Sequence, residues 1–269
     1  MSTNIKLAVL GAGKMGGALA SGFINGGVIL PKNVVLYDAF PAAAKKLAGE
    51  IGGSVAESAA DAVRGADIVL LAVKPQIMPT ALSEIASAVT PDKLIISIAA
   101  GVKIAKIEGC LPAGVPVVRV MPNTPALVGA GAASLTKGSS ATDVHLATAE
   151  KLFSAVGVAV VVDEKLIDAV TGLSGSGPAY AYLIIEALSD GGVKAGLPRD
   201  IARKLAAQTM LGASRMVLET GDHPAKLKDD VTTPGGTTAA GLAALERHGV
   251  RIALIDAVAA AADRSKELG

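Results

Sequence analysis

Two patterns of hydrophobic positions divide this chain. Up to about residue 162, short runs of β-branched and aliphatic residues alternate with helical stretches. The runs from Ile68 to Val73 and from Leu94 to Ile98 are apolar on both faces, as in central parallel strands covered by helices. This alternation of strands and helices predicts a doubly wound α/β domain over residues 1–162. Its predicted strands are Lys6 to Leu10, Val34 to Tyr37, Asp67 to Val73, Leu94 to Ile98, Val117 to Val120 and Val158 to Val162.

The β-branched runs disappear after about Lys165, and long Ala- and Leu-rich segments follow. They predict an all-helical second domain over residues 163–269. Gly191-Gly192 is expected to end one helix and Leu197-Pro198 to open the next, and Gly221 and Gly249 fall where left-handed C-caps are common. The predicted helices are Ala179 to Leu188, Arg199 to Glu219, Thr238 to Arg247 and Ile252 to Leu268.

Composition narrows the classes of function. The chain has 25 basic and 24 acidic residues, and it lacks a basic stripe with interleaved aromatics, so nucleic acid is not an expected partner. Every apolar run is interrupted before it is long enough to cross a bilayer. One cysteine, Cys110, and an N-terminus without a signal-peptide arrangement point to the cytoplasm. The histidines lie in separate polar segments, so no metal is expected.

A glycine-rich motif follows the first predicted strand. Gly11-Ala12-Gly13-Lys14-Met15-Gly16 leads directly into a helical stretch, which is the context that makes a G-x-G-x-x-G pattern informative. The first glycine allows a tight turn, the second lets a pyrophosphate approach the backbone, and the third lets helix and strand pack closely. The motif predicts a Rossmann-type domain that binds a dinucleotide.

Asp38 ends the second predicted strand, where a carboxylate can accept hydrogen bonds from the adenosine ribose. It would repel a 2′-phosphate, although Lys45 and Lys46 could partly offset this. We therefore expect NADPH or NADH, with a weak preference for NADH. The alternative is that Asp38 only caps the following helix.

The edge of the predicted sheet supplies further coenzyme contacts. Ala72-Val73-Lys74-Pro75 ends a strand at its carboxyl edge, where ligands lie in this architecture. Lys74 is expected as a solvated strand end or phosphate contact rather than a catalytic lysine. Arg119 ends another strand and could bind an anion or form a structural ion pair.

Two other segments have the composition of ligand loops, Leu173 to Tyr180 and Thr232 to Thr238, and each leads into a helix. In the second, two glycines remove side-chain bulk beside a helix N-terminus, so a small carboxylate can reach backbone N–H groups. Taken alone, this segment could equally be a turn with Thr238 as an N-cap.

These motifs together resemble the pyrroline-5-carboxylate reductase family over essentially the whole chain. The resemblance rests on Arg119 to Pro125, Gly175 to Tyr180 and, most specifically, Asp230 to Leu242, with Ala72 to Pro75 and Ala99 to Gly101 also matching. It implies reduction of 1-pyrroline-5-carboxylate to L-proline with NAD(P)H. It also implies a C-terminal helical domain that forms dimers, and decamers in some relatives.

The resemblance completes the predicted site. Thr238 is expected as the catalytic residue, which donates a hydrogen bond to the ring nitrogen or relays a proton to it. Glu164 is a weaker candidate for contact with a cationic ring nitrogen. The predicted substrate contacts are Glu164, Ser174, Gly175, Ser176, Gly177, Pro178, Gly235, Gly236, Thr237 and Thr238. The predicted coenzyme contacts are Gly11, Ala12, Gly13, Lys14, Met15, Gly16, Asp38, Ala72, Val73, Lys74, Pro75, Ala99, Ala100 and Asn123.

Two alternatives remain from the sequence. A β-hydroxyacid dehydrogenase has the same domain order but needs a catalytic lysine beside a glycine-rich substrate loop, and neither Lys194 nor Lys204 has that setting. A nonenzymatic nucleotide-binding module would bind coenzyme without turnover, and the intact Pro234 to Thr238 segment argues against it.

Overall fold

The computed structural model describes residues 4–269, so the first three residues of the predicted first domain lie outside it. Within these residues one sheet has the strand order β3-β2-β1-β4-β5-β6-β7-β8. Strands β1 to β6 are parallel, β7 is antiparallel to β6, and β8 is parallel to β7. The strands are β1 (Leu7–Leu10), β2 (Val34–Tyr37), β3 (Ser54–Val55), β4 (Ile68–Leu71), β5 (Leu94–Ser97), β6 (Val117–Met121), β7 (Gly131–Lys137) and β8 (Gly157–Val161).

Helices cover both faces of this sheet and form two apolar cores. Phe23 and Phe153 meet edge to face on one side, with ring centroids 5.5 Å apart. Val63, Leu82 and Ile107 pack on the other side. The doubly wound α/β fold is therefore confirmed. The helices are α1 (Lys14–Asn25), α2 (Pro41–Ile51), α3 (Ala59–Arg64), α4 (Met78–Ile85), α5 (Ile104–Glu108) and α6 (Asp143–Ser154).

The remainder of the chain is helical, as predicted. Its helices are α7 (Ile167–Val170), α8 (Gly177–Lys194), α9 (Arg199–Thr220), α10 (Pro224–Asp230), α11 (Thr237–Arg247) and α12 (Val250–Leu268). Gly221 adopts φ +69° at the C-cap of α9 and Gly249 adopts φ +67° after α11, so both predicted left-handed turns are confirmed. None of the helices in residues 4–269 is long and apolar enough to span a membrane.

Several details of secondary structure differ from the predictions, among them the two-residue strand β3, which was not predicted. Gly191-Gly192 lies inside α8 and does not end it; the missing side chain at Gly192 lets α8 pack closely against α9, since a Cβ there would stand 3.1 Å from the Cβ of Ala202. Strand β7 was not predicted, since its Gly, Ala and Ser residues have low β propensity. Helix α10 is short and charged, and it was also missed.

The packing of the chain defines two compact units. One contains the described residues up to Gly175 together with Ala261–Gly269, and the other contains Ser176–Ala260. Residues 163–175 belong to the first unit: Glu164 pairs with Arg119 of β6, and Ser265 Oγ donates a hydrogen bond of 2.7 Å to Asp168. The predicted boundary after residue 162 thus marks the end of the strands, whereas compact packing divides the chain further on.

Candidate functional site

The carboxyl edge of the parallel strands brings together the residues predicted to bind coenzyme. The glycine motif follows β1, Asp38 follows β2, and Ala72 follows β4. The segment Ala99-Ala100 follows β5, and Asn123 follows β6. Because these strands are parallel, their carboxyl ends share one edge of the sheet.

The glycine motif forms an open turn before α1. Gly11 adopts φ +106°, and a Cβ there would lie 2.6 Å from the carbonyl oxygen of Ala72. A Cβ at Gly13 would meet no atom within 4 Å, so space is open where a ligand can approach the backbone. Among the described residues, no acceptor is bonded to the N–H groups of residues 13–16. The turn therefore fits an anionic pyrophosphate, whose oxygens these N–H groups can bind.

Asp38 connects the second strand to the glycine motif. Its Oδ2 accepts a hydrogen bond of 2.7 Å from the N–H of Ala12, and its Oδ1 accepts one of 2.8 Å from the N–H of Phe40. Helix α2 has no side-chain cap, so the alternative in which Asp38 only caps that helix is wrong. The carboxylate is instead held in place beside the glycine motif.

The two lysines considered above as catalytic lysines of a β-hydroxyacid dehydrogenase are solvent-exposed. Lys194 is the last residue of α8, and Lys204 lies exposed within α9. Lys74, which follows β4 at the carboxyl edge of the sheet, precedes the 3-10 turn Pro75–Ile77 and makes no ion pair with any described residue. Within residues 4–269, no group of three His, Cys, Asp or Glu side chains is placed to bind a metal ion.

Asn123 has contacts that its sequence motif does not reveal. The residue is buried, its Oδ1 accepts a hydrogen bond of 2.8 Å from the N–H of Ala132, and its Nδ2 donates one of 3.0 Å to the carbonyl of Ser174. Both ends of its amide are thus used within the protein. That its side chain contacts the coenzyme remains an untested prediction.

Glu164 forms a partly buried ion pair. Its Oε1 accepts hydrogen bonds from Arg119 Nη1 at 3.0 Å and from the N–H of Ile104 at 2.8 Å. Only 6% of the Arg119 side chain is exposed, against 35% of Glu164. Of the two readings of Arg119, the structural ion pair is confirmed, and contact of Glu164 with substrate remains a prediction.

The N-terminus of α11 is an open helix end within the unit Ser176–Ala260. Gly235 adopts φ +66°, and a Cβ at Gly236 would collide with Thr233 Oγ1. The N-cap residue is Gly236, so no side chain caps this helix. Among the described residues, the N–H groups of Thr237 and Thr238 have no hydrogen-bond acceptor. Such a helix end attracts a carboxylate through its N–H groups and dipole.

The same unit leaves many large apolar side chains uncovered. Leu183 is 65% exposed and Leu218 is 71% exposed. So many large exposed apolar side chains in one unit are typical of a surface that contacts another protein. Other exposed members are Tyr182, Leu188, Ile201, Leu205, Leu211, Met216, Leu245, Ile252 and Ile255.

A cavity of about 750 Å³ starts at Ala12, Gly13 and Lys14 and continues along α1 beside Leu47 and Leu127. It touches the glycine motif but is not lined by Asp38 or by the segments after β4 and β5. The predicted coenzyme contacts therefore coincide with this cavity only at the glycine motif.

Comparisons with known proteins show the family of the chain. Residues 164–268 match the family described as pyrroline-5-carboxylate reductase dimerisation, and residues 6–101 match the family described as NADP oxidoreductase, coenzyme F420-dependent. The chain is 49% identical to pyrroline-5-carboxylate reductase of Methanosarcina acetivorans, over 99% of this chain and 98% of the relative.

Solved structures give the same result. The reductase of Coxiella burnetii is 34% identical with a TM-score of 0.94, covering 99% of both chains. The pyrroline carboxylate reductase of Plasmodium falciparum, whose structure has NADP bound, is 35% identical with a TM-score of 0.87, covering 100% of both chains.

Proposed function

The chain belongs to the pyrroline-5-carboxylate reductase family, and on that premise we propose that its glycine motif and the N-terminus of α11 serve the NAD(P)H-dependent reduction of 1-pyrroline-5-carboxylate to L-proline. The protein is an oxidoreductase that acts on a C=N bond, in the last step of proline biosynthesis. The observation that carries the assignment of roles is the pair of open helix N-termini. One suits a pyrophosphate and the other suits a small carboxylate.

The reaction needs alignment more than a strong acid or base. The coenzyme supplies the hydride when it is bound. The N–H groups at α11 hold the substrate carboxylate, which orients the electrophilic ring carbon. The Thr238 hydroxyl donates a hydrogen bond to the ring nitrogen, or relays a proton from water, as that nitrogen becomes an amine. The turn from Ser174 to Pro178 shapes the substrate pocket.

Asp38 supports a weak preference for NADH. Its carboxylate is held at the end of β2 by two backbone N–H groups, so it does not turn away from a ligand at that edge. A 2′-phosphate placed there meets a fixed negative charge. Lys46, which could offset that charge, lies 3.9 Å from Glu50 instead. The structure of the Plasmodium falciparum relative has NADP bound, so comparing kcat/KM of this chain with NADH and with NADPH tests the preference directly.

The uncovered apolar residues of the helical unit support self-association. We propose that this surface forms a dimer with a second copy, and that dimers assemble further into a decamer. The proposed compartment is the cytoplasm, where exposed Cys110 stays reduced. Light scattering on the purified chain separates a monomer, dimer and decamer directly.

The experiment follows the loss of reduced-coenzyme absorbance with DL-1-pyrroline-5-carboxylate, using NADH and NADPH separately. Thr238→Ala is expected to lower kcat/KM about 100-fold, since it removes the group beside the ring nitrogen. Thr148→Ala is the matched control, because the Thr148 hydroxyl bonds only within α6, to the carbonyl of Val144. Absence of turnover with both coenzymes contradicts the proposal. An equal loss in both variants contradicts the role of Thr238.

A further inference from the structure

Asn123 contacts a backbone carbonyl that the helix behind it cannot satisfy. In an α-helical register, the carbonyl of Ser174 would accept a hydrogen bond from the N–H of residue 178. Residue 178 is proline and has no N–H to donate. The next donor along, the N–H of Ala179, already bonds to the carbonyl of Ser176 at 3.0 Å. Pro178 therefore leaves the Ser174 carbonyl without the i+4 donor of a regular α-helix.

Asn123 supplies the missing donor from the sheet. Its Nδ2 lies 3.0 Å from the Ser174 oxygen, while its Oδ1 accepts the N–H of Ala132 at 2.8 Å. A primary amide is the short side chain that offers a donor and an acceptor side by side. Asn123 is 9% exposed, so water competes little for either bond. The side chain thus links the end of β6, the start of β7 and the Ser174 turn.

The turn that Asn123 holds is not a regular helix. Thr171–Gly175 forms a π-helical turn, a feature that occurs frequently at functional sites. Met121, at the end of β6, also contacts this turn, since a Cβ at Gly175 would stand 2.8 Å from Met121 Cε. Two residues at the end of one strand therefore determine where the turn lies.

We propose that Asn123 is a positioning residue that holds the Ser174 turn in the geometry needed to bind substrate. This inference rests on the proposed function of that turn. Asn123 acts through the Ser174 carbonyl, and its removal lets the turn move. The KM for 1-pyrroline-5-carboxylate then rises more than kcat falls, and coenzyme affinity is unchanged.

The test compares Asn123→Asp and Asn123→Ala with Asn33→Asp in the full chain. Asn123→Asp keeps the acceptor for Ala132 but places a second acceptor against the Ser174 carbonyl. Asn123→Ala removes both bonds and carries the test if the aspartate variant does not fold. Asn33 is the matched control, because it is also buried, at 8% exposure, and it precedes β2 at the opposite edge of the sheet.

Two readouts separate this inference from the proposed function. The first is KM and kcat for 1-pyrroline-5-carboxylate, with coenzyme Kd measured by fluorescence. The second is hydrogen exchange of the peptide that contains residues 171–180, which needs no turnover. We expect KM to rise about tenfold in both Asn123 variants, with faster exchange in that peptide and coenzyme Kd changed by less than about twofold. Asn33→Asp is expected to alter none of these.

Unchanged exchange in residues 171–180 in both Asn123 variants overturns the positioning role, whatever the activity. A raised coenzyme Kd with unchanged substrate KM also overturns it, and assigns Asn123 to the coenzyme site. If the native chain does not turn over 1-pyrroline-5-carboxylate, the proposed function fails. The exchange result then still decides whether Asn123 holds the turn.

Discussion

Gly11→Ala should destabilise the fold itself, whereas Gly13→Ala should affect only coenzyme binding. At Gly11 the backbone adopts φ +106°, which an L-residue rarely adopts, and a methyl group would lie 2.6 Å from the Ala72 oxygen and 2.8 Å from its carbonyl carbon. Neither the backbone at Gly11 nor the backbone at Ala72 can shift easily, because each is held by a hydrogen bond to a neighbouring strand. The Gly11 N–H bonds to the carbonyl of Tyr37, and the Ala72 N–H bonds to the carbonyl of Leu10, both at 2.8 Å.

The expected cost follows from these two terms. The strained backbone contributes about 1–2 kcal/mol. The overlap with the Ala72 backbone contributes about 1–3 kcal/mol, as in other overpacked sites. Together they lower the free energy of unfolding by about 2–5 kcal/mol, which is a large share of the roughly 5–15 kcal/mol of a typical domain. At Gly13 both terms are absent, because φ is −73° and a methyl group there would meet no atom within 4 Å.

The assay is urea unfolding followed by circular dichroism at one protein concentration, since self-association makes the midpoint concentration-dependent. Gly13→Ala should unfold within about 1 kcal/mol of the native chain, because its one expected cost is that of Ala at the N-cap of α1. Its coenzyme Kd should rise about tenfold or more, because the methyl occupies the space where a pyrophosphate approaches. A Gly11→Ala chain with native stability would refute the reasoning, as would a Gly13→Ala chain with native coenzyme affinity.

Three further changes test separate parts of the structure. Asp38→Asn should shift the ratio of kcat/KM towards NADPH by about tenfold, since it removes a fixed charge but keeps one acceptor for Ala12; an unchanged ratio places the coenzyme choice elsewhere. Glu164→Gln should lower unfolding stability by about 1–3 kcal/mol, because it leaves the buried Arg119 guanidinium without its counter-charge; lost turnover at native stability would instead support contact with substrate. Lys93→Met should cost about 1–3 kcal/mol in urea unfolding, because the Lys93 ammonium bonds to the carbonyl of Ala66 at 2.7 Å near the end of α3; native stability would show that water replaces it there.

The local chemistry of the chain was readable from its sequence. Strand β2 begins and ends where predicted, because a short aliphatic run with turn residues on both sides allows few other structures. The glycine motif could be interpreted because a turn depends on backbone freedom over a few adjacent residues. The helix N-terminus after Gly235-Gly236 was predictable for the same reason. In each case the cause and the consequence lie within one short segment.

Only the tertiary structure decided which distant residues meet. Composition could not show that Glu164 pairs with Arg119, because an ion pair between separate elements depends on how the chain returns to the sheet. Strand β7 has few of the usual β-forming residues and is held in the sheet by β6 and β8, which pair with it on both sides. The sequence placed Asn123 at the ligand edge, but its partner was set by Pro178, whose missing N–H leaves the Ser174 carbonyl for a side chain from another element. Local propensity determines the structure of a short segment, whereas tertiary packing determines which distant residues come into contact.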